Sequence, residues 1–198
     1  MTEEILSLVH APVADSPEVA IALALVRAAE PAGAVREALG PVAGRSTARA
    51  RLFGTAAAKL HLEWAAVVAA VAALDGATDA VVAGYAVARA VADGLGPDHA
   101  AAGWCLETTA GTVAAAAAAA RVLDLRGPAL RHAIGIAATQ ASGLSAVKGT
   151  PLGAAQLGHA AATGVEAALL ARNGVTAAED PLSGRRGLFA LMGPRGES

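Results

Sequence analysis

Side chains that can move a proton near neutral pH occur in three separated segments of this chain. Five of them are candidates for catalysis: His61, Glu63, Glu107, Lys148 and His159. A histidine with one or two glutamates could abstract a proton next to a carbonyl group, as an isomerase, a cyclase or a lyase requires. A lysine could instead bind a substrate carboxylate. These residue types predict cofactor-independent proton transfer on a small organic acid or a carbonyl compound.

Each of the five also has a purely structural interpretation. If their segment is helical, His61 and Glu63 point to nearly opposite sides and cannot share a substrate. Glu107 stands at a predicted helix start, where a carboxylate complements the helix dipole. Lys148 lies in a Gly/Ser loop, the usual place of a solvated cation, and His159 fits the core as well as it fits a site. The sequence leaves both interpretations open.

Four further residues are candidates for substrate binding: Trp64, Trp104, Cys105 and Gln156. Cys105 is the only cysteine, which excludes an internal disulfide and a cysteine-based zinc cluster and fits a reducing cytosol. A small buried residue is a commoner role for it than a nucleophile. A metal site made from His61, Glu63 and Glu107 would match no recognised ligand spacing. We therefore predict no metal.

The composition is typical of a helical core made of small apolar side chains. Of 198 residues, 55% are hydrophobic but only 3% are aromatic. Each small side chain buries little area, so the helices must approach closely and make many contacts. The net charge of −2 provides no basic field for nucleic acid. The longest charge-free runs are too polar to span a membrane, and the acidic start lacks a signal peptide's basic region. We expect a cytoplasmic protein that binds neither nucleic acid nor membrane.

Start and stop signals divide the chain into helices, and no alternating pattern of β-branched residues indicates a sheet. We predict helices at about 3–10, 16–29, 32–39, 46–60, 63–74, 80–93, 108–124, 128–146 and 153–172. Ser16 and the pair Thr78-Asp79 are the predicted caps of two of them. Residues 193–198 are predicted to be a frayed tail. The sequence thus predicts one all-α domain over residues 1–198, without a linker.

The stretch from Gly103 to Gly164 combines many small residues, including the run Ala114–Ala120, with few interruptions. It resembles the MmgE/PrpD family, which includes 2-methylcitrate dehydratase and cis-aconitate decarboxylase. The resemblance extends back through residues 75–88 and forward through residues 182–189. It implies the family's large helical domain without its smaller α/β lid domain, and a homodimer formed through helices. A separate lid-bearing subunit would then be a further partner.

One segment of the family that contributes acids to the active site is altered here. The family pattern Asn-Gly-x-x-x-His-x-x-Asp-x-Asp-Asp corresponds to residues 53–64. Ala58 stands in the position of the histidine. The positions of the three acids hold His61, Glu63 and Trp64. This resemblance implies that the segment keeps its place beside the pocket but not its original chemistry.

Two further family motifs are altered in the same way. In the family's Gly-Phe-His-x-Thr motif, Cys105 stands in the position of the histidine and Glu107 in that of the threonine. In its Asp-Gly-Thr-x-x-Lys-x-x-His-x-Gly motif, Lys148 stands in the position of the aspartate. Gly153 takes the place of the lysine and Gln156 that of the histidine. Nearly every proton-transfer group of the family is therefore replaced.

Dehydration or decarboxylation needs a positioned base and a positioned acid, so the family's usual reaction should not be transferred to this chain. We predict a divergent enzyme with lyase- or isomerase-type chemistry on a small-molecule substrate. Its pocket would be formed by residues 59–64, 103–109 and 148–159. The alternative is a non-catalytic relative, either a partner subunit or a small-molecule-binding protein.

Overall fold

The computed structural model describes residues 1–30 and 45–194, and the predicted helix at 32–39 lies outside them. The described helices are α1 (Thr2–Val9), α2 (Pro17–Ala28), α3 (Ser46–Ala57), α4 (Ala65–Ala73), α5 (Thr78–Ala101), α6 (Leu106–Val122), α7 (Gly127–Gln140), α8 (Pro151–Arg172) and α9 (Leu188–Met192). In these two ranges β-structure is limited to an isolated antiparallel bridge between Trp104 and Leu144. The predicted all-α fold is confirmed.

Two helices, α4 and α6, are buried on every side. All residues of α4 are buried, and so is every residue of α6 from Thr108 to Ala120. A helix without a polar face is stable only inside a core. Accordingly α6 packs against α4, α5, α7 and α8. The alanine run thus forms the centre of the bundle, because its small side chains let four neighbours approach.

Glycine permits the closest helix contacts. A Cβ atom on Gly158 of α8 would lie 2.5 Å from the carbonyl oxygen of Arg51 in α3, and one on Gly54 would lie 2.8 Å from the Gly158 Cα. A Cβ on Gly164 would lie 2.7 Å from the backbone nitrogen of Ala116 in α6. No side chain fits at such distances. Helix α8 therefore lies at backbone contact distance from both α3 and α6.

Helices α4 and α6 lie side by side and run in the same direction. A Cβ on Gly111, near the start of α6, would lie 3.6 Å from the Cβ of Ala66, near the start of α4. Toward the other ends, Val71 of α4 and Val122 of α6 flank the same residue, Gly76. The N-terminal ends of both helices therefore lie at one end of the bundle.

Helix α8 runs parallel to α6 as well. Gly143 lies against Thr108 near the start of α6 and against Gln156 near the start of α8, and further along Gly164 lies against Ala115. We call this end of the bundle the upper end. It comprises the N-terminal ends of α4, α6 and α8 and the residues that precede them, at 58–64, 102–105 and 141–150.

The predicted helices at 46–60 and 63–74 are wrong at their junction. Helix α3 ends at Ala57, a 3-10 turn covers Ala58–Leu60, and a loop follows. Both His61 and Trp64 adopt the left-handed backbone conformation, with φ of 49° at each. This conformation is unfavourable inside a helix of L-residues, so it breaks the chain direction between α3 and α4.

Other boundaries differ from the prediction as well. Helix α7 ends at Gln140 rather than 146, because the chain becomes extended at Ala141, with φ of −62° and ψ of 122°. Helix α5 is interrupted at Gly96, whose φ of 66° and ψ of −179° are not helical, and a short helical segment then continues to Ala101. The Ser16 cap is confirmed by the Val19 N–H, which donates to its hydroxyl at 3.3 Å. The predicted Thr78-Asp79 cap is wrong. Ala77 occupies the N-cap position of this helix, and its side chain accepts no hydrogen bond from a backbone N–H.

Candidate functional site

The candidate residues from three distant parts of the sequence meet at the upper end of the bundle. They belong to the loop before α4, to the start of α6 and to the segment that opens α8: His61, Glu63, Trp64, Trp104, Cys105, Glu107, Lys148 and Gln156. His159 lies further down α8. The parallel course of α4, α6 and α8 is the reason for this arrangement. Among these residues, only some contact one another.

Glu107 and Lys148 form an ion pair between α6 and the turn before α8. The Lys148 Nζ lies 3.1 Å from the Glu107 Oε1, and the side chains are 69% and 50% exposed for Lys148 and Glu107. The hydrogen bond to Glu107, and then its charge, raises the pKa of Lys148. An exposed pair of this kind contributes about 0–1 kcal/mol to stability. The pair is therefore a minor structural element whose two groups remain accessible to a ligand.

Gln156 holds the loop that carries Lys148. Its Oε1 accepts a hydrogen bond from the Leu144 N–H at 2.8 Å, and its Nε2 donates to the Leu144 carbonyl at 3.2 Å. The same loop is bonded to the start of α6, because the Cys105 N–H donates to the Gly143 carbonyl at 3.0 Å. Both ends of the Gln156 amide are thus engaged within the protein, and it positions the loop rather than presenting free groups.

Cys105 and Trp104 are held at the corner between α5 and α6. Cys105 is 8% exposed, and its carbonyl accepts the Thr109 N–H at 2.9 Å, so it begins the helix. The partly buried Trp104 stacks on His99, with ring centroids 6.2 Å apart. The Trp104 carbonyl accepts a hydrogen bond from the Ser145 hydroxyl at 2.7 Å. Trp104 therefore connects the corner to the Lys148 loop.

His99 is a residue of this region that the sequence analysis missed. It is 1% exposed, and its Nδ1 donates to the Met192 carbonyl at 2.9 Å, since a carbonyl oxygen only accepts. Its Nε2 lies 2.7 Å from the Thr109 hydroxyl. Proline is favourable in the first turn of a helix, so Pro97 could have indicated that a helical segment containing His99 begins after Gly96. His99 thereby ties α5, α6 and α9 together.

The loop before α4 places Glu63 against α5 rather than toward Lys148. Its Oε2 lies 3.2 Å from the Arg89 Nη2, and its Oε1 accepts a hydrogen bond from the Trp64 indole nitrogen at 3.0 Å. Trp64 itself is 9% exposed and belongs to the main core. His61 is exposed. The loop therefore offers His61 to solvent, whereas Glu63 and Trp64 are engaged with each other.

The pKa of Tyr85, the single tyrosine of the chain, depends in part on Glu63 of this loop. Burial first, and then the charge of Glu63, raises the pKa of Tyr85 to about 12, while Arg89 opposes the shift. We expect its phenolate absorbance to titrate near pH 12 in the folded protein and near about 10 in urea. The pKa of Tyr85 is higher in the folded than in the unfolded state, so its contribution to the free energy of unfolding is full below about pH 10. That contribution is lost as the pH rises toward 12. A folded-state midpoint near 10 would contradict this burial.

His159 lies on α8, near Arg51 of α3, and it is exposed, so the interpretation of His159 as a core residue is wrong. Partial desolvation by the neighbouring helix, and second the charge of Arg51, lowers the pKa of His159. Since an unperturbed histidine titrates at about 6.5, the lowered pKa keeps the ring neutral at pH 7. A neutral imidazole is the form that accepts a proton. His159 is thus chemically suited to act as a base, although it lies below the Glu107–Lys148 pair along α8.

A cavity of about 410 Å³ opens beside Trp104. Its walls come from the end of α5, from the corner before α6 and from α9: Asp98, Ala101, Ala102, Trp104, Leu191, Met192 and Gly193. Of the predicted site residues, Trp104 lines this cavity. Within residues 1–30 and 45–194, no group of three or more His, Cys, Asp or Glu side chains could hold a metal ion.

The fold and the site define an all-α bundle with its ionisable candidate residues gathered at the end where three parallel helices begin. The chain belongs to the MmgE/PrpD family: the family model for the MmgE/PrpD N-terminal domain matches residues 77–197, more than half of its 198 residues. Comparison with curated proteins gave no match. The resemblance stated above is confirmed at the level of the family. Residues 53–64 precede the matched range, so their correspondence to the family's acidic segment stays a prediction.

In the described part of the chain, none of the helices is both long enough and apolar enough to cross a membrane.

Proposed function

We propose that this chain binds a small organic acid at the upper end of the bundle and catalyses proton transfer of the lyase or isomerase type. The supporting observation is the accessible ion pair between Glu107 and Lys148, with 3.1 Å between Nζ and Oε1. The Lys148 ammonium would bind the substrate carboxylate. Glu107 would take a proton from the carbon next to a carbonyl group.

The electrostatics of the upper end suit an anionic substrate. The N-terminal ends of α4, α6 and α8 lie there, and each carries a partial positive charge. Helix N-termini with unpaired N–H groups favour anions. When Glu107 removes the proton, the electron pair moves onto the carbonyl oxygen and forms an enolate. The adjacent Lys148 cation would stabilise this negative charge.

The enolate can then react in two ways. An isomerase returns a proton to carbon, whereas a lyase expels a leaving group from the neighbouring carbon and forms a double bond. Either outcome requires an acid on the opposite side of the intermediate or near its leaving group. His61 is exposed at the same end of the bundle and is our candidate for this acid. Neither path requires a cofactor.

The test uses two substitutions at the pair and a matched control. We expect Lys148→Met to weaken the binding of small carboxylic and keto acids by about 10- to 100-fold, the effect of a charged hydrogen bond. Glu107→Gln should retain binding but abolish exchange of the carbon-bound proton for deuterium, measured by NMR. The exposed pair of Asp124 and Arg126, 2.7 Å apart, provides the control through Asp124→Asn and Arg126→Met. Equal losses in the control variants, or no exchange by the unmodified chain, would contradict the proposal.

Exposed apolar side chains at the same end favour a second candidate function, that of a non-catalytic partner subunit or small-molecule-binding protein. Leu144 is 54% exposed and Leu152 is 60% exposed, and both flank the Lys148 loop. Such side chains suit coverage by a second chain, including a separate subunit that supplies a lid. This alternative predicts carboxylate binding without any proton exchange.

The homodimer and the cytoplasmic location also remain predictions. Light scattering of the purified chain would test the homodimer.

A further inference from the structure

The cavity beside Trp104 is distinct from the Glu107–Lys148 pair. Its volume of about 410 Å³ lies within the roughly 300–1,000 Å³ typical of small-molecule sites. It lies between the end of α5 and α9. Neither Glu107 nor Lys148 belongs to its lining.

Among the described lining residues of this cavity, the ionisable one is acidic. This residue is Asp98, and it is exposed. Within the described ranges, none of the ion pairs involves Asp98. Ala101 and Ala102, at the end of the short segment that follows the break in α5 at Gly96, also line the cavity.

The remaining walls are aromatic and apolar. Trp104 contributes to the lining, as do Leu191 and Met192 of α9. Leu191 is 70% exposed. An indole attracts a cation placed over its face more strongly than the other aromatic rings do, and a thioether is polarizable.

These walls are held in fixed positions by His99. Its ring stacks on Trp104 at a centroid distance of 6.2 Å with 17° between the planes. Its Nδ1 donates to the Met192 carbonyl at 2.9 Å, which fixes α9 across the cavity. Because His99 is 1% exposed, these contacts are protected from water. A preformed cavity loses less entropy when a ligand binds.

From this combination we infer that the cavity binds a small organic cation, an ammonium group with an apolar body. The Asp98 carboxylate supplies the negative charge, the Trp104 indole supplies the cation–π contact, and Leu191 and Met192 supply apolar surface. An organic anion is disfavoured by the same charge. The site is therefore complementary in charge to the carboxylate site proposed at Glu107 and Lys148.

Choline and 3,3-dimethyl-1-butanol are the probes, because they share a shape and differ in charge. The chain has two tryptophans, and Trp64 is in the core, so the two indole N–H resonances serve as reporter and internal control. We expect choline to shift the Trp104 indole resonance saturably and to leave that of Trp64 unchanged. The neutral alcohol should bind at least about fivefold more weakly.

Substitutions of Asp98 and Trp104 test the lining, and Asp93→Asn is the matched control for Asp98→Asn. Asp98→Asn should weaken choline binding by about three- to fivefold, whereas Asp93→Asn removes the same charge from the same helix outside the cavity and should leave it unchanged. Trp104→Leu should weaken binding by about 2- to 30-fold, and Trp104→Phe by less. Binding by Trp104→Leu is followed through choline's own resonances, and its folding through circular dichroism.

Three outcomes would overturn the inference: no saturable shift with choline, equal binding of the neutral alcohol, or equal losses in Asp98→Asn and Asp93→Asn. The readout is binding of a cation and requires no carboxylic acid. Failure of this site therefore leaves the proposed proton transfer untouched, and failure of the proton transfer leaves this site untouched.

Discussion

Replacing Gly158 with alanine is expected to lower the free energy of unfolding by about 2 kcal/mol. The new Cβ would lie 2.5 Å from the Arg51 carbonyl oxygen and 3.1 Å from the Thr55 backbone nitrogen. Backbone atoms cannot rotate away as a side chain can, so α3 and α8 must separate. Overpacking costs about 1–3 kcal/mol and occasionally more, and alanine's helix propensity returns at most about 1 kcal/mol. The melting temperature should fall by about 4–8 °C, measured by circular dichroism.

Gly111→Ala is the matched control for this substitution. It also lies inside a buried helix, but its Cβ would meet only the Cβ of Ala66, at an ordinary 3.6 Å. The same alanine should therefore be neutral or stabilise the protein by up to about 1 kcal/mol. If Gly158→Ala and Gly111→Ala shifted the melting temperature equally, close backbone contact between α3 and α8 would not be the cause.

Gly143→Ala is expected to destabilise the protein by about 2–3 kcal/mol and to release the loop that carries Lys148. Gly143 has a φ of +136°, which an L-residue rarely adopts. Its Cβ would also overlap the Thr108 hydroxyl and lie 3.0 Å from the Thr108 Cβ. Thr108 is 1% exposed and cannot move freely. Urea unfolding measures the loss, and hydrogen exchange should show faster exchange at the Leu144 and Cys105 amides.

Two further variants separate backbone strain from steric overlap. Gly149→Ala meets strain alone, because its φ is +78° and nothing lies within 4 Å of its Cβ, so it should cost about 1–2 kcal/mol. Thr108→Ala removes the overlapping hydroxyl, and the double variant with Gly143→Ala should show a coupling of about 1 kcal/mol. Purely additive losses would exclude contact between Gly143 and Thr108 as the source.

Helices of this chain could be predicted from the sequence because their signals are local. The run Ala114–Ala120 indicates a helix buried on all sides, and α6 is buried there at every position. Ser16 before Pro17 marks the start of α2 by a hydrogen bond to a residue three positions away. The family could be recognised for the same reason, since the order of short segments is preserved within residues 77–197.

Loops were harder to predict because distant contacts decide them. The segment at 61–64 contains no proline or glycine that would end a helix, yet it turns through two left-handed residues and directs Glu63 to Arg89 of α5. Helix α7 ends at Gln140, and the loop that follows it is held by Gln156, on another helix, which binds the Leu144 backbone. Neither partner is close in sequence, so no local pattern predicts it.

The candidate residues themselves were determined by the sequence, since residue types such as Glu107, Lys148 and His61 define which chemistry is available. Their grouping was decided only by the tertiary structure. Helices α4, α6 and α8 run parallel, with Gly111 of α6 against Ala66 of α4 and Gly164 of α8 against Ala115 of α6. This packing brings Glu107 and Lys148 together from distant positions. His99 and the cavity of Asp98 likewise depend on α9, which contacts them from the far end of the chain.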